Sequence, residues 1–215
     1  MNYTKKQLQT LLDNEYKQKD SYEQISQNSL DPLIVAREHK DEFVALVCAF
    51  FAYGNVKAIV KFLNSLDFSL LDTSNKSNTE NKIKSVLSNS YYRFQNSDDV
   101  IAFFIALYRL KIKYKHLKQN SVLKHIFYKR YSLNNNVLDG IDGIIDELKE
   151  ANSYKSSGYS FLIGQNLKYT KENEIKTKAV GAYKRWNLFL RWMIRKDNID
   201  MGLWCEQDSI SHDAN

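Results

Sequence analysis

The stretch Asp41–Val56, DEFVALVCAFFAYGNV, decides how the rest of the chain is read. From Phe43 to Ala52 it is apolar on nearly every side of a helical wheel, and a helix of that kind belongs in the middle of a core rather than on its surface. Asp41 is a natural N-cap for it, and Gly54 stands where a left-handed residue would end it. Asn55 can then cap a following helix over Val56–Leu66.

The same logic extends outward in both directions. Asp98 and Asp99 suit the N-terminus of a second buried helix, VIAFFIALYRL. Thr4–Lys17 carries Leu8, Leu11, Leu12 and Tyr16 at helical spacing, and Pro32 after Asp31 opens a short helical turn. Lys82–Leu87 reads as a short helix and Val122–Tyr131 as an amphipathic one with Leu123, Ile126 and Phe127 inward. Asn136–Ala151 keeps a helical apolar row despite Gly140 and Gly143. Leu71–Asn81 and Asn152–Asn166 read as loops, and Glu172–Val180 has too few apolar residues to assign. One proline, seven glycines and no convincing strand pair make the chain all-α. The expected organisation is a single helical domain over residues 1–215, with core elements at about 41–66 and 98–111 and a hairpin-like turn and basic helix at 180–196.

Composition bounds the function. With 43% hydrophobic and 26% charged residues, the chain is globular. A net charge of +6 fits a polyanionic partner. Two cysteines, Cys48 and Cys205, exclude a disulfide framework and a four-thiolate cluster, and the four histidines lack ligand spacing, so no metal or cofactor is expected. There is no signal peptide and no apolar run long enough to span a bilayer, which points to a cytoplasmic protein with no membrane partner. Asp31, Glu38, Asp41 and Glu42 read as caps and surface charge.

Chemistry concentrates in Gly181–Trp204, GAYKRWNLFLRWMIRKDNIDMGLW. Lys184, Arg191 and Arg195 fall on one side of a helix, with Trp186, Phe189, Leu190 and Met193 opposite. An ordinary solvated basic face over a packed core accounts for that pattern as well as a ligand site does. Gly181 and Ala182 would let a backbone approach a phosphate at a helix N-terminus. Lys184 sits in the first turn, where the helix dipole disfavours a cation, and burial there would free a neutral amine. Asp200, sixteen residues on, either folds back towards that amine or caps a turn.

The block KRWNLFLRWM at 184–193, closing with DMGLW at 200–204, resembles an uncharacterised bacterial family related to the helix–hairpin–helix DNA glycosylases. DEFVALVCAFFAYGNV at 41–56 and YYRFQNSDDVIAFFIALYRL at 91–110 agree with it, so the blocks cover about half the chain. The resemblance implies a helix–hairpin–helix fold and an 8-oxoguanine DNA glycosylase with AP-lyase activity acting on double-stranded DNA with a damaged base; the chain is separately expected to be a monomer. It implies Lys184 as the Schiff-base nucleophile, with Asp200 as the candidate catalytic carboxylate. Arg185, Arg191 and Arg195 become phosphate contacts, and Asn55 fills the gap left in the duplex. Tyr53 and Trp204 become stacking partners for the flipped base, core packing being the rival reading for each. The sequence also departs from the family. The turn Val180–Tyr183 has one glycine where relatives have two, and CEQDSISHDAN at 205–215 does not match the Leu-Asp-Thr-His segment of relatives. The expectation drawn from this is a C-terminally truncated domain with an apolar patch exposed beside Trp186 and Met193. A non-catalytic DNA-binding helical protein and a helical protein-interaction module remain the alternatives.

Overall fold

The computed structural model describes residues 3–20, 30–73, 78–117, 121–166 and 181–205. Among them run ten α-helices and no strand. In order these are α1 (Lys5–Lys19), α2 (Pro32–His39), α3 (Glu42–Phe50), α4 (Val56–Leu63), α5 (Thr79–Val86), α6 (Ser97–Lys113), α7 (Val122–Asn134), α8 (Val137–Ala151), α9 (Ser157–Ile163) and α10 (Gly181–Ile194). A 3-10 turn at Phe68–Leu71 joins the α4 and α5 regions. The fold is all-α, as the sequence requires.

α3 is the central post. The Asp41 carboxylate accepts from the Phe43 and Val44 amides at 2.8 and 3.0 Å, satisfying two of the donors that a helix start leaves open. All nine residues of α3 are buried. α2 and α10 pack directly against it, and Phe50 meets Trp186 of α10 edge-to-face at 4.6 Å. Cys48 lies fully buried on this helix, with its thiol pushed up by burial, and fills space as a core residue. α6 is the second buried helix, started by a reciprocal cap in which Asn96 and Asp99 each accept the other's amide.

α7 and α8 form a tight pair, and α8 packs on α6. Gly140 makes that approach: a Cβ there would lie 2.5 Å from the Phe127 ring. The glycine that weakens α8 as an isolated helix is what lets α7 close upon it.

Several expectations need correction. Asn152–Asn166 is not all loop, because Ser156 caps α9 through the Tyr159 amide at 2.8 Å. Leu71 is buried at the end of the 3-10 turn rather than opening a polar loop. Trp186 and Met193 are both fully buried, so neither contributes to an exposed apolar patch of the kind expected beside them. Glu42 is no surface charge, since α3 carries it inward against the start of α7. α1 forms, with Thr4 and Gln7 making a capping box, but none of its residues is buried. The residues of Glu172–Val180, including the start of the expected hairpin turn, lie outside the described residues. No described helix is long and apolar enough to cross a membrane.

Candidate nucleic-acid interface

α10 splits cleanly into two faces. Tyr183, Arg185, Trp186, Phe189, Leu190, Trp192 and Met193 are buried, while Lys184, Arg191 and Arg195 are exposed. The one-sided basic row read from the sequence is therefore real. Gly181 and Ala182 form the helix's first two residues.

Arg185 does not belong to that row. Its guanidinium donates to the carbonyl of Phe50 at 2.9 Å and to that of Phe161, and lies 5.1 and 4.6 Å from the ring centres of Tyr53 and Phe161. Burial pushes its pKa down to about 10, which leaves it charged at neutral pH. A phosphate contact through Arg185 does not fit this placement: the side chain is an internal clasp joining α10, α9 and the end of α3.

At the other end, the chain after α10 turns back upon it. The Gly202 and Trp204 amides donate to the carbonyls of Trp192 and Met193 at 3.0 and 2.9 Å, closing acceptors that the helix end leaves open. Asp197 holds the turn by accepting from the Ile199 and Asp200 amides. Asp200 does fold back onto α10, but onto the arginines. Its carboxylate lies 3.1 Å from Arg191 Nε and 2.5 Å from Arg195 Nε, and its side chain is wholly buried beneath them. At 1.5 Å per residue those arginines stand about 10 and 16 Å further along the axis than Lys184. Burial raises the Asp200 carboxyl above its usual range, and the two guanidinium groups pull it partly back. As placed, Asp200 anchors the basic row.

Trp204 is a core residue. Its indole donates to Glu42 Oε2 at 2.9 Å, and its ring packs on Phe127, Tyr128 and Phe189. Glu42 also accepts from Ser121 Oγ and the Leu123 amide at 2.6 and 2.9 Å, and burial pushes its carboxyl upward. Stacking of Trp204 on a flipped base is excluded by this position. Asn55 caps α4 through the Lys57 amide at 2.9 Å and is exposed. Tyr53 is half-buried beside it, with its hydroxyl donating to Gln95.

The structure also brings together a group of rings that the sequence reading did not assemble: Tyr53, Phe94 and Phe161. The link is Arg185, which follows Lys184 in the first turns of α10 and touches two of those rings. A family model described as "Protein of unknown function (DUF2400)" matches residues 31–211, more than half of the chain. The chain belongs to that family. Among the described helices the DUF2400 match takes in α2 to α10 and leaves α1 outside. No curated protein and no solved structure matches the chain. The family description carries no activity, so a function must be argued from the chain's own residues.

Phe94, Arg93 and Phe161 are the functional candidates that sequence reasoning missed. The only signal was the juxtaposition in YYRF at 91–94; nothing local tied Phe161 to it. A separate cavity of about 560 Å3 lies between the α2–α3 corner, the end of α6 and the start of α7. Lys40, Lys111 and Lys115 line it, and none of the expected site residues does.

Proposed function

We propose that the protein binds DNA along the exposed face of α10 and acts as a DNA glycosylase with AP-lyase activity, Lys184 supplying the amine. The carrying observation is the state of Lys184. It is exposed, has no ion pair among the described residues, and stands at the head of a row continued by Arg191 and Arg195. A row of exposed cations along one helix suits successive phosphates, whose contacts fix register rather than sequence. The resemblance of the 184–204 block to helix–hairpin–helix glycosylases adds the chemistry.

In this reading an oxidised purine is turned out of the duplex, at a cost of a few kcal/mol. Lys184 is exposed, without the burial that was expected to free its amine, so the amine gives up its proton to solvent before it attacks the sugar's anomeric carbon. The base departs with the glycosidic electron pair. Ring opening gives a Schiff base, and loss of the neighbouring proton expels the 3′ phosphate by β-elimination. The reading assigns Asp200 to anchoring Arg191 and Arg195, so it rests on Lys184 alone.

Borohydride reduction during incubation with 8-oxoguanine-containing duplex tests it. The expected result is a covalent adduct with the unaltered chain and none with Lys184→Ala. An adduct that persists in Lys184→Ala, or no adduct at all, sinks the enzymatic reading. The second reading, a non-catalytic DNA-binding protein, is favoured by the arginine row itself, which needs no reactive amine. It predicts salt-sensitive binding without trapping.

A further inference from the structure

Three elements bring rings to one exposed place beside α10. Tyr53 comes from the turn between α3 and α4, Phe94 from the reverse turn ahead of α6, and Phe161 from α9. Phe161 stands edge-on to Tyr53 at 5.2 Å and to Phe94 at 5.4 Å, while Tyr53 and Phe94 lie parallel at 6.2 Å between centres. Phe94 is 62% exposed, Phe161 41% and neighbouring Tyr91 68%. Scattered single apolar residues on a surface need no explanation, but rings in mutual contact do.

The rings are exposed although the backbone beneath them is firmly held. Tyr92 and Gln95 exchange backbone hydrogen bonds at 3.0 and 2.9 Å, closing the turn that carries Arg93 and Phe94. Gln95 is fully buried, accepting from the Tyr53 hydroxyl and donating to the Gly158 carbonyl at 3.0 Å. The Tyr92 hydroxyl donates to the Tyr53 carbonyl at 2.6 Å. Arg93 adopts φ of +54°, a left-handed conformation that non-glycine residues seldom take and that clusters at functional positions. Gly54, at φ of +105°, lets the Arg93 guanidinium come close: a Cβ there would lie 2.5 Å from it. Arg93 then spans the Phe94 and Tyr53 rings, 5.5 and 5.9 Å from their centres.

Two cations, Arg93 and Arg185, lie over these rings. Exposed aromatic side chains beside the exposed Arg93 guanidinium match the needs of a nucleobase with its phosphate, and every base offers a π face to such a surface. A paired duplex hides those faces in its own stack. We propose that Tyr53, Phe94 and Phe161, with Arg93, form a stacking platform for unpaired bases, so that the ligand class is DNA whose bases are out of the duplex stack, with or without a lesion. This rests on the reading of α10 as a DNA-binding face.

Fluorescence anisotropy on lesion-free oligonucleotides of one sequence tests the proposal, with the strand fully paired, paired around a central bubble, or single. The full chain should prefer the bubble to the paired duplex. Phe94→Ala and Phe161→Ala should each lower bubble affinity by about fivefold to a hundredfold, the range expected for loss of one stacked base. Paired-duplex affinity should not change, and Phe94→Tyr should keep the preference. Far-UV circular dichroism and a thermal melt verify that each variant is folded, and Phe161→Leu supplies a second variant where α9 is disturbed. No bubble preference in the unaltered chain, or unchanged binding in Phe94→Ala, overturns the platform. The two readings fail separately. Trapping lost while the Phe94-dependent preference remains removes the lyase and keeps the platform, whereas trapping with no Phe94 dependence does the reverse.

Discussion

The two ends of α10 treat arginine in opposite ways. Near the start, Arg185 is buried without a carboxylate partner among the described residues, its charge met by two carbonyls and two ring faces. Near the finish, Arg191 and Arg195 stay half-exposed, and the buried members of the pairing are acids, Asp200 with both and Asp197 with Arg195. One end is fastened from beneath by a cation and the other by an anion. The consequence for the surface differs. The buried cation backs the Tyr53 and Phe161 rings, while the buried anion leaves cations outside, where a phosphate can reach them.

Removing the clasp should have the largest effect. Arg185→Ala leaves the Phe50 and Phe161 carbonyls without that donor and removes the cation from two rings. The expected loss is about 3 kcal/mol, read from a denaturant midpoint at unchanged slope. Arg185→Lys should recover only part of it, because an ammonium cannot span two carbonyls as a planar fork does. A loss below about 1 kcal/mol would mean that the clasp is incidental.

The anchor at the other end should cost less to break. Arg191→Ala with Arg195→Ala strands two buried carboxylates, Asp200 and Asp197, the latter 2.7 Å from Arg195 Nε. Both guanidinium groups are half in water, however, so the expected loss is about 2 kcal/mol. Adding Asp200→Asn to that pair should restore part of it, Asp197 still lacking Arg195, and the restoration is the coupling that a double-mutant cycle reads. Losses that merely add would show that the arginines and Asp200 are independent.

The same anchor fixes a smaller effect with a definite sign. Asp200 has its carboxyl raised, chiefly by burial. An acid raised in the folded state binds its proton more tightly there than in the unfolded chain. Its ionisation therefore costs stability as pH rises through the raised value, and costs nothing below the ordinary carboxylate range. The stability advantage of Asp200→Asn over the unaltered chain should grow as pH climbs from about 4 and then level off. An advantage that shrinks over that range would mean that the arginines outweigh burial.

How much of this contrast the sequence displayed depends on how local each part is. The exposed row was legible because Lys184, Arg191 and Arg195 answer to the helical period alone. α3 and α6 were legible because apolar runs with acidic caps have one good solution. Arg185 was not, because its burial is decided by α9, in a stretch whose polarity reads as loop. Trp204 and Glu42 meet across 162 positions of sequence, and no local pattern announces that an acid at a helix start will accept an indole. α1 is the converse: its leucines keep the period and the helix forms, yet Leu12 remains 61% exposed. Period predicts a helix; it does not predict what covers it.

The smallest effect on stability belongs to the residue on which the enzymatic reading depends. Lys184 shares its turn with Arg185, so a substitution there asks whether the exposed amine is part of the clasp or merely borne by it. The amine has no ion pair among the described residues and is exposed, so Lys184→Ala removes little that holds the fold. It also takes a cation away from a helix start, where the dipole is unfavourable to it. The two changes predict a midpoint within about 0.5 kcal/mol of the unaltered chain, with no loss of cooperativity. Borohydride trapping, measured on the same preparation, should vanish while salt-dependent DNA binding weakens only slightly, since the arginine row remains. If instead Lys184→Ala destabilises the chain as Arg185→Ala does, the two neighbours act as one structural unit. The loss of trapping would then report unfolding rather than a missing nucleophile.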